Sequence, residues 1–413
     1  MSAHDRHAPL VRHEQVNIAD DSPWKKLPMI FGVIGVLGLV AGFMLGVGGK
    51  DPAKFWSSYL TAVMWGMSIA LGGLFFVLVQ HAARAGWPIV VRRIAENLML
   101  ALPAMALLMA PIVFMGSHEI FHWTHAEAVA HDEVLQAKAP YLNEGAFRVR
   151  FAIYLVLWSA LAIAYWSWST KQDTASNPAE YAHKMRRWSP IGLLVFALTL
   201  TFGAFDFLMS LDPHWFSTIF GIYYFAGCVS IVHSVLALIV ILLHRSGYLR
   251  GVVTAEHFHD LGKYMFAFTV FWGYIGFSQY FLICYASIPE ETYWFSYRGH
   301  GDWLTLSLIL VFTRFVIPFI GIMSRKIKRN PRTLAFWCVW IIVAEFIDMY
   351  WLVQPALAHT RGIEQIRIDL YDITTLVGVG GVLAAIITWG LVKHALVPLK
   401  DPRLEESINH ENF

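Results

Sequence analysis

Ten apolar stretches, each close to the roughly 20 residues a helix needs to cross a bilayer, constrain this chain more than any other feature. They cover approximately residues 27–49, 56–83, 97–116, 149–168, 188–209, 217–243, 261–286, 303–324, 333–353 and 371–393. Inside lipid no water is available to satisfy backbone N–H and C=O groups, so such segments cross as helices. The expected fold is all-α and polytopic: a cytoplasmic tail (1–26), a ten-helix membrane domain (27–393) and a second cytoplasmic tail (394–413). Hydrophobic residues make up 57% of the chain, and a net charge of +2 leaves no basic surplus for nucleic acid.

An even number of spans puts both tails on one side. Lys and Arg number about 21 in the segments on that side and about 8 on the other, which by the positive-inside rule makes the tail side cytoplasmic. The first 26 residues contain no short apolar core followed by a small-residue cleavage site, so the first span is expected to insert uncleaved. The longest loop on the far side, Ser117–Arg148, is too short for a separate domain. Cys228, Cys284 and Cys338 lie in apolar runs without CxxC or CxxCH spacing, so they read as packing residues rather than iron–sulfur or c-type haem ligands. His81, His233 and His244 do not supply the facing pairs a b-type haem needs.

An internal repeat is legible. Asp206 and Asp348 each precede a proline by seven residues (Pro213 and Pro355) at the far end of their spans. Glu96 and Asp260 each stand where a span enters from the tail side. Spans 2–5 (about 56–209) and 6–9 (about 217–353) thus read as two four-helix units of the same orientation, with spans 1 and 10 peripheral. Span 1 carries Gly38, Gly42 and Gly46, and span 10 carries Gly378, Gly380, Gly381 and Ala384, small-residue stripes that allow close backbone approach.

The second unit carries ionisable groups deep in its spans: His233 in span 6, Arg314 in span 8, and Glu345 with Asp348 in span 9. Such residues are costly in lipid and mark ion or proton pathways. If the four helices form one bundle, these groups meet in its core. Arg314 then holds one carboxylate ionised while the other exchanges a proton with His233. His259, Asp260 and Lys263 at the tail side, with Asp206 and Asp372 at the far side, are the remaining proton-path candidates. Glu345 is the sharper of the two acids in span 9, because its counterpart in span 5 is Gly203.

A competing chemistry comes from His118-Glu119-Ile120-Phe121-His122, which reads HExxH. On a helix, His118 and His122 would share a face and hold zinc, with Glu119 as base, as in a membrane metalloprotease. The run lies at the far edge of span 3, where it reads better as an interfacial polar cluster than as a metal site. A stand-alone proton-coupled transporter is a third reading, which the same-orientation repeat disfavours.

Several stretches together resemble one family: Lys138–Asn143 with Phe147 and Arg148, Ser210–Gly221 (SLDPHWFSTIFG), Phe266–Trp272, Phe277–Tyr280 and Ile288–Thr292. These are similar to the F subunit of bacterial alternative complex III, a quinol:cytochrome c oxidoreductase, whose membrane subunits are NrfD-like (polysulfide-reductase-like). The resemblance spans about Trp24 to Pro398. It implies two four-helix bundles plus two peripheral helices, in the bacterial inner membrane. It also implies a role within an electron-transport enzyme, as a subunit that is not itself catalytic, carries no redox cofactor, and supports assembly and proton conduction. Quinol, iron–sulfur clusters and c-type haems would be on or beside partner chains. Those partners are an NrfD-like C subunit, an iron–sulfur protein, multihaem and monohaem cytochromes c, small membrane subunits, lipids and a terminal oxidase.

Overall fold

The structure is a computed structural model that describes residues 11–47 and 49–412. Among these residues it is all-α, with ten helical spans: span 1 (Pro23–Gly46), span 2 (Pro52–Ala82), span 3 (Ile89–Ile120), span 4 (Glu144–Gln172), span 5 (Pro178–Leu211), span 6 (Phe220–Arg245), span 7 (Ala255–Ala286), span 8 (Gly301–Ile322), span 9 (Pro331–Thr360) and span 10 (Leu370–Lys393). The protein is a multi-pass helical membrane protein, as its hydropathy pattern implies.

Several spans are longer than their apolar cores. Capping chemistry sets their ends rather than hydrophobicity. Asp51 accepts from the N–H of Lys54 to start span 2, and Asn143 from that of Ala146 to start span 4. Thr254 and His257 form a reciprocal cap at the start of span 7. Spans 3 and 8 are each interrupted by one π-helical turn, Ile112–Gly116 and Phe312–Val316.

Spans 2–5 pack as one group and spans 6–9 as another. Spans 2 and 6 form the seam between the groups and are buried over most of their length, and span 9 touches both. Span 10 lies against span 2 and carries span 1 on its outer side. The glycine stripes explain that last pairing. A Cβ on Gly38 would lie 2.8 Å from the Cα of Gly378, and one on Gly381 would lie 2.5 Å from the Cα of Gly35. The obstacle in both cases is backbone, which cannot rotate away. Span 1 therefore docks through bare backbone while its other side chains, such as Met29 and Met44, face outward.

Both tails pack on one face. The N–H of Leu249 donates to Gln15 O and that of Leu396 to Val16 O, each at 2.7 Å. On the opposite face the loop between spans 3 and 4 folds into short helices, Ala126–Ala130 and Glu133–Lys138. Asp132 caps the second of these and pairs with His214 at 2.5 Å. Its carboxyl is held below the ordinary range, first by the hydrogen bond from His214 and then by the N–H of Leu135.

Candidate functional site

Glu345 and Asp348 are three residues apart in the middle of span 9, so they project on nearly the same side. Neither is exposed to any measurable extent. Arg314 reaches them from span 8, where it lies inside the π turn. Its guanidinium pairs with Oε2 of Glu345, donates to Ser230 Oγ of span 6 at 3.4 Å, and sits 5.4 Å from the ring of Trp272 in span 7. Spans 6, 7, 8 and 9 therefore all meet at one buried charge cluster.

The two acids are held differently. Asp348 has both oxygens occupied: Tyr223 of span 6 donates its hydroxyl to Oδ1 at 2.6 Å, and the indole N–H of Trp272 donates to Oδ2 at 2.8 Å. Glu345 has one oxygen on Arg314, while Oε1 is buried with no hydrogen-bond partner among the described residues. That oxygen lies against the backbone of span 6 at Gly227, where a Cβ would come within 2.6 Å of it. The glycine is what makes room for the carboxylate. Behind Tyr223 and Trp272, an apolar cavity of about 730 Å³ between spans 7 and 8 is bordered by outward-facing Tyr274 and Phe277. The Asp348 end of the cluster is thus one side chain away from open space.

Two carboxylates and one guanidinium leave one net negative charge when all are ionised. An uncompensated charge in a low-dielectric interior costs several kcal/mol, roughly, even after relaxation. Binding one proton makes the cluster neutral, and Glu345 Oε1 is the acceptor left open to receive it.

The placement of the other residues singled out by sequence differs from expectation in several places. His233 does not join the acids. Its Nδ1 bonds to Val229 O one turn back, at 2.7 Å, and its ring stacks on Tyr264 with centroids 4.8 Å apart. Six residues along span 6 from Gly227, it lies about 9 Å toward the tail face, from the 1.5 Å rise per residue. Among the described residues no hydrogen bond links His233 to either acid. Its Nε2 is buried and unpartnered.

Asp206, near the far end of span 5, is engaged by its neighbours. It is buried in a bidentate pair with Arg150 at 2.8 Å and accepts from Tyr154 at 2.7 Å, so its hydrogen-bonding capacity is used locally. Asp260 bridges Lys263 at 2.5 Å and His410 of the C-terminal tail at 2.7 Å, and Lys263 also donates to Asn412. His259 is buried beside them with Nδ1 unpartnered. This group ties the tail to span 7 and borders the tail face.

Asp372 caps its own span by accepting from the N–H of Asp369. It also pairs with Lys54 at 3.1 Å and accepts from Ser58 at 2.6 Å. His118 and His122 do not share a helix face. The helix ends at Ile120, and Phe121 is extended (φ −107°, ψ 108°), so the i, i+4 geometry on which the HExxH reading depends is absent.

Sequence reasoning missed Gly227, Ser230, Tyr223 and Trp272. A signal was present: Gly227, Ser230 and His233 recur every three residues along span 6, a small and polar strip in an otherwise bulky helix. Trp272 lies near the middle of span 7, at the wrong depth for an interfacial anchor. Lys54 and Gln354 were also missed. They hydrogen-bond at 3.1 Å and, with Asp372, form a second buried polar network at the far ends of spans 2, 9 and 10. Compared with known proteins, the chain matches no family model and no curated protein.

Proposed function

We propose that this chain is a membrane subunit of a quinol:cytochrome c oxidoreductase of the alternative complex III type, and that it conducts protons through its second four-helix group. The assembly reading rests on the resemblance of the motifs around Lys138–Arg148, Ser210–Gly221 and Phe266–Thr292. The proton reading rests on one observation: a charge cluster at mid-membrane with an excess acid and a free carboxylate oxygen, Glu345 Oε1. Quinol, iron–sulfur clusters and c-type haems belong to partner chains in this reading. The protein lies in the bacterial inner membrane with both tails cytoplasmic.

Polar groups recur along one line through spans 6 to 9. Asp260 and His257 stand at the tail face, then Tyr264 with His233, then Ser230 with Arg314 and Glu345, then Asp348 with Tyr223 and Trp272. Neighbouring groups are about 4.5–6 Å apart along the helix axes, and among the described residues no hydrogen bond joins one group to the next. Water must bridge them, and the unpartnered nitrogen of His233 and oxygen of Glu345 are where it would bind. Arg314 fixes Glu345 in place and limits how far its charge can move. Tyr223 can pass a proton between Asp348 and the cavity side. The alternative, a zinc protease, loses its support with the broken helix at Phe121.

The decisive experiment is Glu345→Gln in the reconstituted complex. The substitution keeps the shape and the acceptor toward Arg314 but removes the proton-binding group. Proton release per electron falls while quinol oxidation and assembly persist. Unchanged proton stoichiometry at full turnover overturns the proton reading, and loss of assembly identifies Arg314–Glu345 as a structural pair instead.

A further inference from the structure

We infer that a cavity on the tail face, between spans 2 and 5 and the C-terminal tail, binds an anionic phosphate group. The cavity has a volume of about 640 Å³ and is lined by His81, Arg84, Arg92, Arg186, Asp401 and Arg403, among others. Two of these cations are already neutralised. Arg92 pairs with Asp401 at 2.7 Å and with Glu96 at 3.2 Å, and Arg403 with Glu406 at 2.6 Å. Arg84 and Arg186 have no carboxylate partner among the described residues; Arg186 touches only His183 Nδ1, at 3.2 Å. The cavity therefore keeps two uncompensated guanidiniums, and its one acid is spent on Arg92.

Two further features describe the cavity wall. His81 is 8% exposed, lines the cavity, and has an Nε2 with no hydrogen-bond partner. Arg84 is the second feature. It follows the end of span 2 with φ +53°, in the left-handed region that favours glycine. The turn is closed by Ala85 N–H to Gln80 O at 3.0 Å, and Arg403 donates to the Arg84 carbonyl. The fold holds an arginine in a conformation that costs roughly 1–2 kcal/mol for a residue with a Cβ. A glycine would make the same turn without that cost but would present no guanidinium. Span 5 adds the positive end of its dipole, since Ala179 and Ala182 in its first turns also line the cavity.

The shared chemistry is a phosphate carrying net negative charge, either the headgroup of an anionic phospholipid or a free phosphate. The test uses the full-length protein in detergent, as wild type, Arg84→Gly and Arg186→Gln. Native mass spectrometry and thermal unfolding are measured with dioleoylphosphatidylglycerol, with dioleoylphosphatidylcholine as the zwitterionic control, and with inorganic phosphate.

The wild type is expected to retain the anionic lipid preferentially, and each variant to bind it about tenfold more weakly, one charge-assisted hydrogen bond's worth. Retention that inorganic phosphate does not displace assigns the site to a lipid. Direct phosphate binding that is weakened in both variants assigns it to a soluble anion. Arg84→Gly relieves its own backbone strain, so it keeps the test interpretable even if Arg186→Gln unfolds. Equal binding of both probes by wild type and Arg84→Gly overturns the inference.

Discussion

Gly227→Ala tests the cluster without removing a titratable group. The added Cβ would stand 2.6 Å from Glu345 Oε1 and 3.3 Å from its Cδ. Ordinary contact begins near 3.4 Å, so the carboxylate must retreat by about 0.8 Å, the difference between those two distances. It has little freedom to do so, because its other oxygen is held by Arg314 and the site is fully buried. Overpacking of this kind costs about 1–3 kcal/mol. Replacing a mid-helix glycine by alanine returns up to about 1 kcal/mol in helix propensity. The net expectation is a destabilisation of about 0–2 kcal/mol, together with a shift of the Glu345 carboxyl band in infrared difference spectra.

The same substitution in an Arg314→Leu/Glu345→Ala background meets no carboxylate. There the propensity gain alone remains, and Gly227→Ala becomes neutral or mildly stabilising. The coupling between backgrounds, about 1–3 kcal/mol, is the quantity that matters, because it isolates the contact between Gly227 and Glu345. It is read from thermal or denaturant unfolding of the four proteins. An equal effect of Gly227→Ala in both backgrounds refutes the placement of Glu345 against span 6.

Other outcomes follow from the same geometry. Arg314→Met leaves two buried carboxylates without a cation and is expected to destabilise by about 3–5 kcal/mol, whereas Arg314→Met/Glu345→Met recovers most of that loss in the same unfolding assay. Gly381→Leu forces spans 1 and 10 apart at a backbone contact, so disulfide cross-linking between cysteines introduced in those two spans drops, with Gly380→Leu as the tolerated control facing Trp65 at 3.6 Å. Asp206→Asn strands Arg150 and lowers stability by about 1–3 kcal/mol without altering proton stoichiometry, since that carboxylate is fully engaged locally. For Asp132, whose folded pKa is depressed, the stabilisation is present above the unfolded value near 3.9 and disappears as pH falls through the lower folded value. Protection of amides in the 126–138 helices, taken relative to the intrinsic exchange rate at each pH, should therefore fall as pH is taken below about 4, and Asp132→Asn should show the lower protection already at pH 6.

The sequence by itself determined the helices, their number and the glycine faces of spans 1 and 10. Lipid leaves an apolar segment of 20 or more residues no alternative to helix, and a stripe of missing side chains lets two helix backbones approach closely. It also singled out Arg314, Glu345 and Asp348, because an ionisable group in an apolar run is visible without coordinates. What it could not decide was who faces whom. Helical periodicity gives the direction of a side chain relative to its own axis, but not the rotation of that axis against its neighbours, nor the extra residue that a π turn inserts. Tertiary packing placed Arg314 on Glu345 rather than on Asp348, gave Asp348 to Tyr223 and Trp272, and left His233 stacked on Tyr264. It also broke the helix at Phe121 that the HExxH spacing required, since spacing in sequence becomes spacing in space only while the helix continues.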